Sequence, residues 1–212
     1  MGTPKDSKKT RAKIIEAAGQ LFSEKGFKGV TVREISKKAE THLGALNYHF
    51  RNKETLYREV LLEACRKASF SVEDQDQLLR MDPLEALDAL IRETLKSYPK
   101  QAASNWQSAI ITRECWEPSA MFSEIAEVYF NPQADFMAAI VGKIVEQPSD
   151  AHTVRFAVIV LIGLLETFGL YEHYIESIAP GLMDFCNKED RMVNQIAHLV
   201  IEAATPSGDR RN

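Results

Sequence analysis

Apolar residues recur along most of this chain at the three- and four-residue intervals of an α-helix, and no sustained two-residue alternation bounded by turn dipeptides marks a strand. Ile14, Ile15, Ala17, Ala18, Leu21 and Phe22 place one apolar face on a helix over residues 8–25, which Gly26 closes where a left-handed residue is wanted. Thr31 opens the next helix with a capping box. Its hydroxyl accepts from the amide of Glu34, whose carboxylate reaches back, while Val30 and Ile35 take the two positions of a hydrophobic staple. The stripe Val32, Ile35, Ala39 runs out at "AETHLG", and a new one, Leu46 and Phe50, starts within a few residues, so two short helices are joined by a tight turn. Asn52 then caps a fourth helix that carries Leu56, Val60 and Ala64 on one face.

Beyond residue 70 the spacing stays helical. Asp82 and Pro83 form an N-cap and first-turn proline leading into "LEALDALIRETLKSY", and "NWQSAIITRECW" and "SAMFSEIAEVYFNPQADFMAAIVGKIV" continue the period. Ser149 is expected to cap a long segment from about 150 to 175, and Asn187 to cap the last, whose stripe is Met192, Val193, Ile196, Leu199, Val200 and Ala203. The predicted fold is all-α with about nine helices.

The run "FAVIVLIGLL", Phe156 to Leu165, is apolar nearly all round, which predicts burial on every side. It is about half of the ~20 residues a membrane span needs and ends at Glu166, so no span is expected. Gly163 and Gly169 interrupt the longer segment that holds this run at a cost of about 1 kcal/mol each relative to alanine, which close helix-helix approach would offset. Two readings stay open: a central core helix, or a helix partly covered by a second copy in an intermolecular four-helix bundle. The second puts Phe156, Ile159, Gly163, Met192, Ile196, Leu199 and Val200 at a homodimer interface.

Composition changes this picture little; the distribution of charge changes it more. With 45% hydrophobic and 26% charged residues the 212-residue chain is ordinary globular material. The net charge of −4 conceals an asymmetry: residues 1–52 hold eleven Lys/Arg against five acids, net +6, and the remainder is net −10. A basic quarter joined to an acidic three-quarters suits a polyanion partner for the first part alone, the rival being a merely solvated lysine-rich face. Cys65, Cys115 and Cys186 are scattered without a CxxC pair and no secretory pattern opens the chain, so a reducing cytoplasm is expected.

One window carries a resemblance. "TRAKIIEAAGQLFSEKGFKGVTVREISKKAETHLGALNYHFRNKETL" resembles the DNA-binding domain of the TetR family of bacterial transcriptional regulators. The matching positions are Arg11, Ile14, Ala17-Ala18, Leu21-Phe22, Gly26-Phe27, Thr31, Ile35, Ala39, Gly44, Leu46, Tyr48-His49-Phe50, Lys53-Glu54 and Leu56. The resemblance implies a helix-turn-helix at about 31–50 within a DNA-binding domain of residues 1–56. It implies a helical effector-binding and dimerisation domain over 57–212, and a ligand-responsive regulator, most simply a repressor released from a palindromic double-stranded DNA operator by a small-molecule effector. In such a motif the second short helix enters the major groove and must be short, approachable and polar outside. Thr31 and Arg33 can meet phosphate, Gly44 lets the backbone approach, Asn47 can pair with adenine, and Leu43 or Ala45 can meet a thymine methyl. Tyr48 and His49 resemble the family's phosphate-contacting pair, and Lys53 adds charge at the next helix start. On residue type alone Tyr48 also reads as a half-buried aromatic and His49 as merely exposed. The chain departs from the family at Glu40, where glycine is usual in the turn, at Thr41, and at His42, where serine usually caps. A left-handed Glu40 would cost about 1 kcal/mol, and a differently cut turn is the alternative.

No catalytic constellation is present in the sequence. The five histidines form no HxxxH or HExxH pair, and there is no Gly-rich phosphate loop and no GxSxG, so neither a metal, a cofactor nor an enzyme is expected. Cys115 reads as a small hydrophobe before it reads as a redox sensor. Trp106, Trp116, Met121, Phe122, Tyr129, Phe130, Met137 and Phe168 are the candidates to line an effector pocket, the alternative being ordinary core. The reading from a different class is a helical small-molecule-binding protein or enzyme that retains the DNA-binding head as an inherited module.

Overall fold

The computed structural model describes residues 4–97, 106–187 and 190–205. Among the described residues the regular structure is helical throughout, in thirteen α-helical segments and one π turn. They are α1 (Pro4–Lys25), α2 (Val32–Lys38), α3 (Leu43–His49), α4 (Lys53–Ala68), α5 (Val72–Arg80), α6 (Pro83–Ser97), α7 (Trp106–Trp116) and α8 (Phe122–Ile125). A π turn (Ala126–Phe130) follows, then α9 (Asn131–Ile144), α10 (His152–Leu170), α11 (Glu172–Ile178), α12 (Leu182–Asn187) and α13 (Arg191–Ala204). The all-α expectation holds with more segments than the pattern implied. The stretch expected from 150 to 175 breaks at Tyr171, and neither Ser149 nor Asn187 serves as the expected cap. Helix α10 starts at His152 after Ala151, and α13 starts after Asp190, which sits at φ +55°.

The described residues fall into two compact units: those up to 69 with those from 106 to 129, and those from 70 to 97 with those from 130 onward. The boundary expected at 56/57 falls inside α4.

In the first unit α1, α4 and α7 pack on one another, with α2 and α3 against α1. Phe22, Phe27 and Tyr57 form an aromatic cluster in which Phe22 meets Tyr57 edge-on at 5.0 Å. The Tyr57 hydroxyl donates to the buried carboxylate of Glu114 at 2.8 Å, and that carboxylate also accepts from the amide and hydroxyl of Ser119. Burial and then this carboxylate push the phenol well above its ordinary range. Arg113 on α7 donates to the carbonyls of Ser23 and Glu24, satisfying the end of α1 next to Gly26. Arg58 on α4 forms a bidentate pair with Glu124 on α8. Burial pushes the Cys65 thiol up to about 12, which leaves it an inert packing group.

In the second unit α10 and α13 pack together and against α6 and α9 around Leu87, Leu90, Ile91, Val141, Leu161 and Val200. Helix α10 is not buried on every side. Val154, Ala157, Val158, Leu161 and Leu165 face the core, but Phe156 and Ile159 are 58% and 67% exposed. At 19 residues α10 is long and apolar enough to cross a membrane by length and composition, which a core helix of a soluble protein also satisfies.

Candidate nucleic-acid interface

The basic quarter of the chain folds into a sequence of local devices that place α3. After α1, Gly26 at φ +70° turns the backbone, and its amide donates to the Phe22 carbonyl at 2.9 Å. Thr31 caps α2 with the expected box: its hydroxyl accepts from the Glu34 amide and the Glu34 carboxylate accepts from the Thr31 amide at 2.8 Å. Lys25 closes the same carboxylate at 2.9 Å. Together Lys25 and then the Thr31 amide and hydroxyl hold Glu34 down to about 2. Val30 and Ile35 are both buried, as a staple requires.

The turn between α2 and α3 keeps its usual course with an unusual residue. The Thr41 amide donates to the Ser36 carbonyl at 3.0 Å and the Glu40 amide to that of Lys37 at 3.2 Å, the two bonds of a Schellman ending. Glu40 occupies its left-handed position at φ +51°, so the turn is not cut differently and a Cβ-bearing residue stands where glycine suits best. His42 then takes the part of serine: its Nδ1 accepts from the Ala45 amide at 3.0 Å and caps α3. That bond requires an imidazole with an unprotonated Nδ1.

Helix α3 is held from behind by Leu46 and Phe50, both buried. The guanidinium of Arg11 stacks 5.4 Å from the Phe50 centroid and pairs with Glu59 at 2.6 Å, tying α1, α4 and the end of α3. The outward face consists of Leu43, Gly44, Asn47 and Tyr48, all exposed, with Ala45 and His49 half-buried. Tyr48 is 81% exposed, which removes the half-buried-aromatic alternative, and its ring lies edge-on to His49 at 5.1 Å. Thr31 and Arg33 are exposed at the start of α2. Lys53 stands apart from the rest: its ammonium donates to the carbonyls of Phe27 and Val30 at 3.1 Å each and lies 4.3 Å from the Phe27 centroid. It holds the α1–α2 turn instead of standing free on the surface. Arg11 and Lys25 are supports to which the sequence reading had given no role, whereas Glu34 stands where the capping box put it.

The remaining candidates scatter. Of the effector-pocket set, Trp106, Trp116, Met121, Phe122 and Tyr129 belong to the first unit, and Phe130, Met137 and Phe168 to the second. Trp106 is buried against α1 and Trp116 is 80% exposed, while Met137 and Phe168 pack on the core of the second unit. Of the interface set, Met192, Ile196 and Val200 are buried in the second unit's own core. Phe156, Ile159, Gly163 and Leu199 are exposed, and a Cβ added at Gly163 would meet open space, so no close approach among the described residues explains that glycine. Among the described residues no group of three or more His, Cys, Asp or Glu side chains is placed to hold a metal ion.

Residues 14–60 match the family described as bacterial regulatory proteins, tetR family, and residues 83–205 match the C-terminal domain of the HTH-type transcriptional dual regulator CecR. The chain is 43% identical over 54 residues to the probable HTH-type transcriptional regulator YttP of Bacillus subtilis, a match covering 26% of each protein. The chain thus spans about a quarter of that relative's length. Its fold is that of HlyIIR, a hemolysin II transcriptional regulator, with a TM-score of 0.62 at 21% identity over 89% of this chain and 97% of the other. NalD of Pseudomonas aeruginosa, the secondary repressor of the MexAB-OprM multidrug efflux pump, matches with a TM-score of 0.58 at 22% identity, covering 93% of this chain and 97% of NalD.

Proposed function

The chain belongs to the TetR family of bacterial regulatory proteins, and from that premise we propose that it is a cytoplasmic, homodimeric repressor released from a pseudo-palindromic DNA operator by a small-molecule effector. The observation that carries the reading is α3: a polar outer face with Tyr48 in water, clamped from behind by Leu46 and Phe50, in a segment of net charge +6. Residues 1–56 are the DNA-reading part and the helices that follow take the effector and the second copy.

In this reading Gly44 lets the helix approach the groove floor, Asn47 reads a base edge, and Leu43 and Ala45 offer apolar contact to a thymine methyl. Thr31, Arg33, His42, Tyr48 and His49 meet phosphate, and Lys53 acts indirectly by holding the turn that presents α2. Phe156, Ile159, Gly163 and Leu199 form the face that a second copy covers. A dimer of this kind sets its two α3 helices about 34–36 Å apart, or a multiple, to meet successive major grooves. The effector acts by binding one spacing better than another, since equal affinity for both would shift nothing.

The test is selection of the operator from random duplexes, followed by binding across a salt series. The expected result is a palindromic site whose affinity falls steeply between 50 and 200 mM salt, on the order of the 10³-fold or more typical of several phosphate contacts. Tyr48→Phe weakens binding alike on all sequences, and Asn47→Ala changes base preference at one position of each half-site. Affinity indifferent to salt overturns the reading, and so does an Asn47→Ala protein with unaltered preference for the base assignment.

A further inference from the structure

The first unit carries a groove that repression as described above does not use. It has a volume of about 930 Å³ and runs beside α1 from Lys8 to Gln20, flanked by Lys38, Ala39 and Glu40 at the end of α2. Ligand pockets of small molecules span roughly 300–1,000 Å³, so the size suits one. Ala12, Ile15 and Ala17 of α1 give it an apolar lining, and Trp106 of α7 adds an aromatic one. The indole reaches this position because residue 19 is glycine: a Cβ there would stand 2.4 Å from the ring.

Two features mark the groove as more than a crease. First, Trp106 is only 4% exposed, and its Nε1 is buried without a hydrogen-bond acceptor among the described residues. Buried donors are seldom left in that condition, and an acceptor on a bound molecule would relieve it. Second, the lining is cationic. Lys8, Lys9, Lys13 and Lys38 have no ion-pair partner among the described residues, and Lys67 stands 6.0 Å from the Trp106 centroid. Three acids, Glu16, Glu40 and Glu63, share the lining, and Glu63 is already taken up by Arg66 and Lys67.

We infer that this groove binds a small amphipathic anion, a carboxylate on an apolar body, with the body along Ala12 and Ile15 and the carboxylate between the Trp106 Nε1 and the lysines. Duplex DNA is the other anion to weigh. A flat array of phosphates would meet the exposed lysines but would not fill a concave groove walled by a buried indole, so the observations favour the small molecule. The site is formed by α1, the turn at Glu40, Glu63 and Lys67 of α4 and Trp106 of α7, and its occupancy is read without reference to operator binding.

The chain has two tryptophans, so Trp116→Phe, a change at an exposed position, leaves Trp106 as sole reporter. Decanoate is titrated into this variant up to about 1 mM while Trp106 emission is followed, with 1-decanol, inorganic phosphate and a short DNA duplex as comparisons. The expected result is a saturable change with decanoate and a response at least about tenfold weaker with decanol or phosphate alone, the loss expected when one charge-assisted contact or the apolar body is removed. Lys13→Glu with Lys38→Glu weakens decanoate by about tenfold or more. Ala12→Phe, which fills an exposed position of the lining, abolishes the response with an unchanged far-ultraviolet spectrum. No saturable change, a change that survives both sets of substitutions, or equal responses to decanoate and decanol overturns the proposal. So does a lysine-dependent Trp106 response to the duplex in place of decanoate, which would make the groove a nucleic-acid contact.

Discussion

Glu40→Gly isolates the strained residue in the turn before α3. Glu40 stands at φ +51° as the left-handed member of the α2 ending, and no hydrogen bond or ion pair of its side chain is formed among the described residues. A Cβ-bearing residue in that conformation costs about 1–2 kcal/mol, while glycine brings about 0.5–1 kcal/mol of additional unfolded-chain freedom. The difference is a gain of roughly 0.5–1 kcal/mol for the glycine variant, equivalent to about 2 to 4 °C per kcal/mol in a chain of this size. Glu40→Ala is the control, because it removes the same carboxylate but keeps the Cβ and the strain, and its effect stays within about 0.5 kcal/mol. Urea denaturation followed by far-ultraviolet circular dichroism gives both values. Glu40→Gly no more stable than Glu40→Ala would refute the strain argument. The charge separates cleanly from the strain in a second measurement: both variants remove an acid beside the expected phosphates, so both tighten operator binding by similar factors, and a gain confined to glycine would mean the turn itself moves on binding.

Three further outcomes are expected. His42→Ala loses the cap on α3 and costs about 1 kcal/mol, His42→Ser restores it, and hydrogen exchange at the Ala45 amide reports the difference directly; equal protection in all three proteins would mean the imidazole is not the cap. Glu34 has its carboxyl held below the ordinary value of 4.5, at about 2, so the Lys25–Glu34–Thr31 device stabilises the folded state fully above the ordinary value and that contribution is lost as pH falls toward 2; NMR titration of Glu34 should show the low value in the native protein and a rise in Lys25→Ala, and an unmoved value in the variant would contradict the assignment of Lys25 as the main cause. Ile159→Asp places a charge on the open face of α10 without touching the core, so sedimentation should show the dimer dissociating while helix content is kept; a dimer that persists would put the interface elsewhere.

The parts legible in the sequence were those whose cause lies within about four residues. The Thr31–Glu34 box, the Gly26 turn and the buried pair Leu46 and Phe50 follow from spacing alone, and each is present in the fold. His42 escaped as a cap because imidazole is outside the usual set of Ser, Thr, Asp and Asn, although its Nδ1 offers the same kind of acceptor at the same distance. Lys53 escaped because its partners, the carbonyls of Phe27 and Val30, belong to a turn that no local pattern brings near α4. The same limit governs the placement of α7, joined to α1 and α4 by Trp106 on Gly19 and by Glu114 on Tyr57. Two of the helical glycines, Gly19 and Gly163, make the point sharpest. Gly19 and Gly163 each weaken a helix by about 1 kcal/mol relative to alanine, and in the sequence they are equivalent. In the fold Gly19 admits an indole from far along the chain and Gly163 faces open space. Periodicity supplies the cost of such a residue, but only its tertiary surroundings supply its reason.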